Sequence, residues 1–288
     1  MTLPATDTVV TYPAGDTTAE ARVLHVQPLD DPDGYKAVLL DRTAFHPVDL
    51  AWPDQPSDRG VLHAEGVAID VREVWVAATD GTELHVARVP RKGTEGWSFL
   101  VAHLVDGDAP LTEGDTVTVE VDPFYRDRLS WGHSACHLAS LALNAALADA
   151  WTKEHRIDSL GSPDFDAAAN ESSTILERGA RDTYRIGKSL RKSGFEPAAL
   201  DDPVALAASV NATLASWIAT GGAVRIERDG ELLTDRRYWV ADLPGGTARI
   251  ACGGTHVTSL SDLPAVTVKF ETEQLEGAVG MTMVTHAG

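Results

Sequence analysis

Two short pairs of metal-binding residues constrain this chain more than any other feature. His133 and His137 stand four apart, Cys252 and His256 stand four apart, and residues 138–251 separate the pairs. Segment 133–151, HSACHLASLALNAALADAW, is rich in Ala and Leu with no internal Gly or Pro, which predicts a helix of about five turns. On a helix, positions i and i+4 share a face, so both imidazoles can converge on one ion. Cys252 and His256 flank Gly253-Gly254-Thr255, where two glycines permit a sharp turn that brings thiolate and imidazole together. Two imidazoles from one pair, with a thiolate and an imidazole from the other, suit tetrahedral Zn2+. Four protein ligands complete a tetrahedron as in a structural site, whereas catalysis needs a position for water, so the residues alone leave both uses open. The second cysteine, Cys136, lies beside His137 and reads as a small core residue or a neighbour of the site.

The rest of the chain predicts an α+β fold in two domains. Residues 1–125 contain short β-rich segments such as ARVLHVQPL, REVWVAAT and DTVTVEVD, separated by turn signals such as DDPDG and TEGD. That spacing predicts an N-terminal β-barrel or sandwich domain. Pro123 stops the last strand, and residues 126–288 form the second domain. There the stretch 152–183 is polar and poorly patterned, with a loop expected in GSPDFDAAANESS (161–173), and the pattern predicts a helix over 203–220, a strand in AVRIERDG and a C-terminal hairpin over 267–286. No segment approaches the ~20 apolar residues of a membrane span, and MTLPATDTVV lacks a signal peptide's basic region. The expected location is therefore the cytoplasm, where cysteines stay reduced. A net charge of -19 argues against DNA or any generic nucleic-acid ligand, although a local basic patch stays compatible with it.

Taken together, HSACHL at 133–138 and CGGTHV at 252–257 resemble the metal motifs of the alanyl-tRNA editing proteins. These AlaX-type proteins are free-standing relatives of the alanyl-tRNA synthetase editing domain. DRTAFHP at 41–47, followed by QPSDRG at 55–60, resembles the segment that precedes the histidine pair in that family. The resemblance runs over residues 40–280. It implies a β-barrel followed by an α/β editing-type domain, with zinc held by His133, His137, Cys252 and His256. It also implies hydrolysis of the ester that joins an amino acid to the 3′-terminal adenosine of tRNA. The aminoacyl-tRNA acceptor end is then the partner, and the zinc quartet carries the catalysis.

The departures from the family pattern fall near its amino-acid pocket. The glycine pair before Gln55 is missing, and the loop VDLAWPD, which contains Trp52, is about three residues longer than the family pattern, counted between Pro47 and Gln55. His46 replaces an aromatic residue, Cys136 replaces the usual threonine, and Ser159-Leu160-Gly161-Ser162 stands where the family has Gln-x-Gly-Ser. His46, Gln55, Asp58, Cys136 and Ser159 are the candidate pocket residues. An intact metal motif beside an altered pocket fits an unusual amino acid. Fluorothreonyl- or threonyl-tRNA is the sharper expectation, and seryl-tRNA the family's usual substrate. A basic run, Arg178, Arg181, Arg185, Lys188, Arg191 and Lys192, stands out in so acidic a chain. On a helix most of it would share one face, whereas the resemblance implies a strand for YRIGKSL; either way, from Arg181 onward it is the candidate tRNA contact, with a salt-bridged surface as the other reading. The competing reading is a non-catalytic module that binds RNA or protein around a structural zinc.

Overall fold

The computed structural model describes residues 3–30, 32–50, 53–86 and 88–288. Trp52 lies outside them. The chain divides into two compact units. The first comprises Met1–Arg126, Arg228–Arg237 and Gly253–Thr255, and the second comprises Asp127–Glu227, Tyr238–Cys252 and His256–Gly288.

The first unit carries β1 (Val9–Val10), β2 (Thr18–Pro28), β3 (Tyr35–Leu40), β4 (Arg42–Thr43), β5 (Gly60–Ala64), β6 (Val67–Val71), β7 (Glu73–Thr79), β8 (Leu84–His85), β9 (Ser98–Asp106) and β10 (Thr116–Val121). Strand β10 alternates strictly, with Val117, Val119 and Val121 buried and the residues between them exposed, as a half-buried strand must. Strands β3 and β9 are buried on both faces, which explains their mostly apolar sequences, broken only by Lys36 and His103 between their end residues. Eight strands pair antiparallel in the order β6-β5-β10-β2-β3-β9-β7-β8. The predicted barrel is therefore corrected to an open sheet among the described residues. Closure would require the two outer strands to pair along their length, and β8 is only two residues long.

The second unit starts within α1 (Pro123–Ala146). That helix begins ten residues before the predicted start at 133. Pro123 opens it rather than merely ending a strand, because the Asp122 carboxylate accepts the Phe124 and Tyr125 N–H groups at 2.9 and 3.1 Å. Gly132, inside the helix, lets the backbone pass the carbonyls of Leu176 and Gly179; a Cβ there would stand 2.3 and 2.5 Å from them. Beyond α1 come α2 (Phe165–Ala169), β11 (Asn170–Leu176), β12 (Gly179–Ile186), α3 (Lys188–Lys192), α4 (Pro203–Ile218), β13 (Val224–Arg228), β14 (Arg237–Leu243), β15 (Gly246–Ala251), β16 (Val266–Leu275) and β17 (Ala278–Ala287).

The predicted loop over 161–173 thus contains α2 and the start of β11. Asp164 caps α2 by accepting the Ala167 N–H, and β11 and β12 form a hairpin. Helix α4, capped by Asp202, and the C-terminal hairpin β16–β17 lie where the sequence places them. One sheet runs β11-β12-β17-β16 and another β13-β14-β15. Strands predominate over helices, which is the α+β class. Among the described residues, no helix is long and apolar enough to cross a membrane.

Candidate metal centre

All four residues of the two pairs belong to the second unit. Helix α1 presents His133 and His137 one turn apart, with ring centroids 4.9 Å apart. The segment after β15 supplies Cys252 and His256. One ligand atom from each residue lies within 4.8 Å of every other. Cys252 Sγ is 3.3 Å from His133 Nε2 and 3.2 Å from His256 Nε2. Ligands about 2.0–2.3 Å from a tetrahedral ion stand roughly 3.3–3.7 Å apart, so the cluster needs little adjustment to close on zinc.

Two further observations fit a metal. His137 Nε2 is buried and has no hydrogen-bond partner, an arrangement that costs free energy unless something else occupies its lone pair. Burial also pushes His137 down to about 4, so its imidazole is neutral, as a ligand must be. Trp239, fully buried on β14, packs its ring 5.1 Å from His137 and walls the cluster with apolar surface. His133 is buried and the other three residues are partly exposed, so the cluster is reachable from solvent.

Ser134, which the sequence reading passed over, orders the second pair. Its Oγ accepts the Val257 N–H at 3.1 Å and lies 3.2 Å from His256 Nδ1. With a proton on Nδ1 donated to Ser134, the His256 Nε2 lone pair faces the cluster. The only local signal is its place inside HSACH, beside a ligand.

Cys136 faces the sheet. Its thiol donates to the Asp182 carboxylate, with the oxygens 3.5 and 3.6 Å away. Burial and the neighbouring Asp182 push the thiol well above its usual range, so it stays protonated. Asp182 is itself pushed up to about 6, chiefly by burial. Ser159 Oγ accepts the Arg249 N–H at 3.0 Å.

In the first unit, Gln55 is fully buried and clasps Thr255. Its Nε2 donates to Thr255 Oγ1 at 3.0 Å, and its Oε1 accepts the Thr255 N–H at 3.0 Å. His46 packs edge-on against Tyr12 and is pushed down to about 3 by burial, with the Arg126 charge adding to it. Its backbone N–H donates to Asp58. Asp58 is buried in a two-pronged ion pair with Arg126, a residue that no sequence motif marked. Arg126 also donates to the Ala44 carbonyl.

The basic run does not form one helix face. Arg181 and Arg185 are exposed on β12, alternating with buried Asp182, Tyr184 and Ile186, while Lys188, Arg191 and Lys192 lie on α3. The strand alternates because Asp182 and Tyr184 are drawn inward, to Cys136 and Asp166. Arg191 donates to the Gly277 carbonyl, and Arg178 lies 5.1 Å over the Trp131 ring.

No family model matches the chain. The alanyl-tRNA editing protein AlaX-M of Pyrococcus horikoshii is 25% identical over 246 residues, covering 85% of this chain and 82% of that protein. An alanine–tRNA ligase of Mycobacterium sp. (strain KMS) is 23% identical over 278 residues, covering 93% of this chain and 28% of the ligase. The chloroplastic/mitochondrial alanine–tRNA ligase of Ostreococcus lucimarinus is 25% identical over 259 residues, covering 89% of this chain and 24% of the ligase. The chain therefore spans about a quarter of the length of the ligases it matches.

Proposed function

This chain belongs to the AlaX-type alanyl-tRNA editing family, and from that premise we propose that it is a trans-acting, zinc-dependent aminoacyl-tRNA deacylase. Residues 126–288 carry the reaction, and residues 1–125 form the companion domain. The observation that carries the reading is the convergence of His133, His137, Cys252 and His256, with a buried ligand nitrogen on His137 that no hydrogen bond satisfies. Water adds to the ester carbonyl carbon, the 3′ oxygen of the terminal ribose leaves with a proton, and the products are free amino acid and uncharged tRNA. His133, His137, Cys252 and His256 would hold zinc, which would supply a Lewis-acid centre to orient the aminoacyl group or raise the reactivity of water. Ser134 fixes the tautomer of His256, and Trp239 keeps one side of the cluster dry. Arg181, Arg185, Lys188, Arg191 and Lys192 contact the phosphates of the tRNA.

The amino acid removed is threonine-like, with fluorothreonine the favoured candidate and serine the family alternative. The replacement of threonine by Cys136, and the protonated state of its thiol beside Asp182, support a pocket that differs from the usual one. A rival reading has one observation in its favour: four protein donors fill a tetrahedral set, as in a structural zinc module.

A deacylation panel separates the readings. Zinc-loaded protein is expected to hydrolyse fluorothreonyl- or threonyl-tRNA faster than Ser-, Ala- or Gly-tRNA. Failure on every member would leave the structural module standing. Full activity in His137→Ala would remove the metal from the mechanism.

A further inference from the structure

The second unit also holds a cleft of about 650 Å³ that shares no residue with the metal cluster. It is lined on one side by the segment that follows α1 and on the other by the end of β12 and the start of α3. Its charged and ionisable walls are His155, Arg156, Arg185 and Lys188, with Asp164 as the one carboxylate. Asp164 is already engaged. One oxygen accepts the Ala167 N–H at 3.1 Å and the Asn144 amide at 3.3 Å, and the other meets Arg156 Nε at 3.3 Å. That contact holds Arg156 by one nitrogen while its side chain stays 75% exposed. The other arginine ion pairs of this unit run through Arg128, Arg225 and Arg249. Arg185 and Lys188 thus keep no carboxylate partner among the described residues.

A chain of net charge -19 has here gathered three cations against one occupied carboxylate. Guanidinium forks and an ammonium around a concave wall are the chemistry that holds a phosphate oxygen pair. Strand β12 links this wall to the metal helix, since Asp182 touches Cys136, next to His137, and Arg185 follows three residues later. Asp182 faces inward and Arg185 outward on that strand, about 10 Å further along it.

We propose that this cleft is a phosphodiester site for the backbone of the tRNA, with Arg156, Arg185 and Lys188 as its anion ligands. It rests on the deacylase reading and adds Arg156 and the cleft to it.

The test is direct binding of uncharged tRNA across a salt titration, which needs no hydrolysis. Arg185→Glu/Lys188→Glu is expected to weaken binding about tenfold or more and to lower the slope of log affinity against log salt by about 2. The neutral pair Arg185→Gln/Lys188→Gln should shift both in the same direction, with the melting temperature held. Arg225→Glu, whose arginine is paired with Asp242 and Glu227, serves as the charge control and should leave the slope in place. An unchanged slope in both double variants, or an equal drop in the control, overturns the proposal. Wild-type hydrolysis of a 3′-aminoacyl dinucleotide separates the two failures. If that ester is cleaved and wild type binds tRNA but both double variants keep the wild-type slope, the cleft assignment alone falls. If the ester is not cleaved and tRNA is not bound, the deacylase reading falls and takes the cleft with it.

Discussion

Gln55 and Thr255 hold each other twice, side-chain amide to hydroxyl and backbone N–H to amide carbonyl, both at 3.0 Å and both buried. Thr255 immediately precedes His256, so this clasp fixes the chain at the residue before a metal ligand. Gln55→Ala removes the Oε1 that accepts the Thr255 N–H and the amide that donates to its hydroxyl. The expected cost is about 2–3 kcal/mol in urea unfolding, together with zinc binding weakened roughly tenfold in a competition titration. Unchanged zinc affinity would show that the clasp does not position His256.

Ser134 should matter to the metal more than to the fold. Ser134→Ala removes the group that accepts the Val257 N–H and faces His256 Nδ1. Zinc affinity, read against a chelator, is expected to fall about 10–100-fold, while apo-protein stability falls by only about 1–2 kcal/mol. A loss confined to stability would leave Ser134 as a turn residue alone.

Gly132 tolerates no side chain. A Cβ would stand 2.3 Å from the Leu176 carbonyl oxygen and 2.5 Å from that of Gly179, neither of which is a flexible tip. Gly132→Ala is expected to destabilise the second unit by about 3 kcal/mol in denaturant unfolding. Less than about 1 kcal/mol would mean that the β11–β12 turn moves aside freely.

His103 sets part of the acid limit of stability. It is fully buried between the Thr43 hydroxyl and the Val38 carbonyl, and burial holds it at about 4 against 6.5 in the open chain. The unfolded chain therefore takes up this proton first. The stabilising effect is complete above pH 6.5 and is lost as pH falls from 6.5 through 4, a difference of about 3 kcal/mol. His103→Gln should remove that share, so the gap in unfolding free energy between wild type and variant should narrow by about that amount between pH 7 and pH 4. A gap independent of pH would reject the assignment.

The first metal pair was legible because a helix converts a spacing of four residues into a shared direction; the second was legible only as a short spacing, since Gly253 keeps an ordinary φ and the segment is held by Gln55 and Ser134. Asp182 and Arg126 were not, because a single carboxylate or guanidinium carries no local pattern. Their meaning comes from partners 46 and 68 positions away, Cys136 and Asp58. The start of α1 was missed because Pro123 ends strands as readily as it opens helices, and the Asp122 cap decides between them. The β11–β12 hairpin was hidden for a different reason. Its turn residue Arg178 adopts φ 62°, a conformation usually marked by Gly or Asn. Binary patterning gave the strands of the first unit, but sheet closure depends on pairing at its edges, which no single strand reports.

The first unit borrows Arg228–Arg237 and Gly253–Thr255 from the far half of the chain. Val9 bridges Leu232, the Val10 N–H donates to the Glu231 carbonyl, and the Leu233 N–H donates to the Thr8 carbonyl. During synthesis β1 can pair early with β4 along one edge, but its other edge must wait for residues made more than two hundred positions later. Until then it offers a bare edge to any neighbouring strand. Nascent chains of this protein therefore expose that edge until residues 228–237 have left the ribosome.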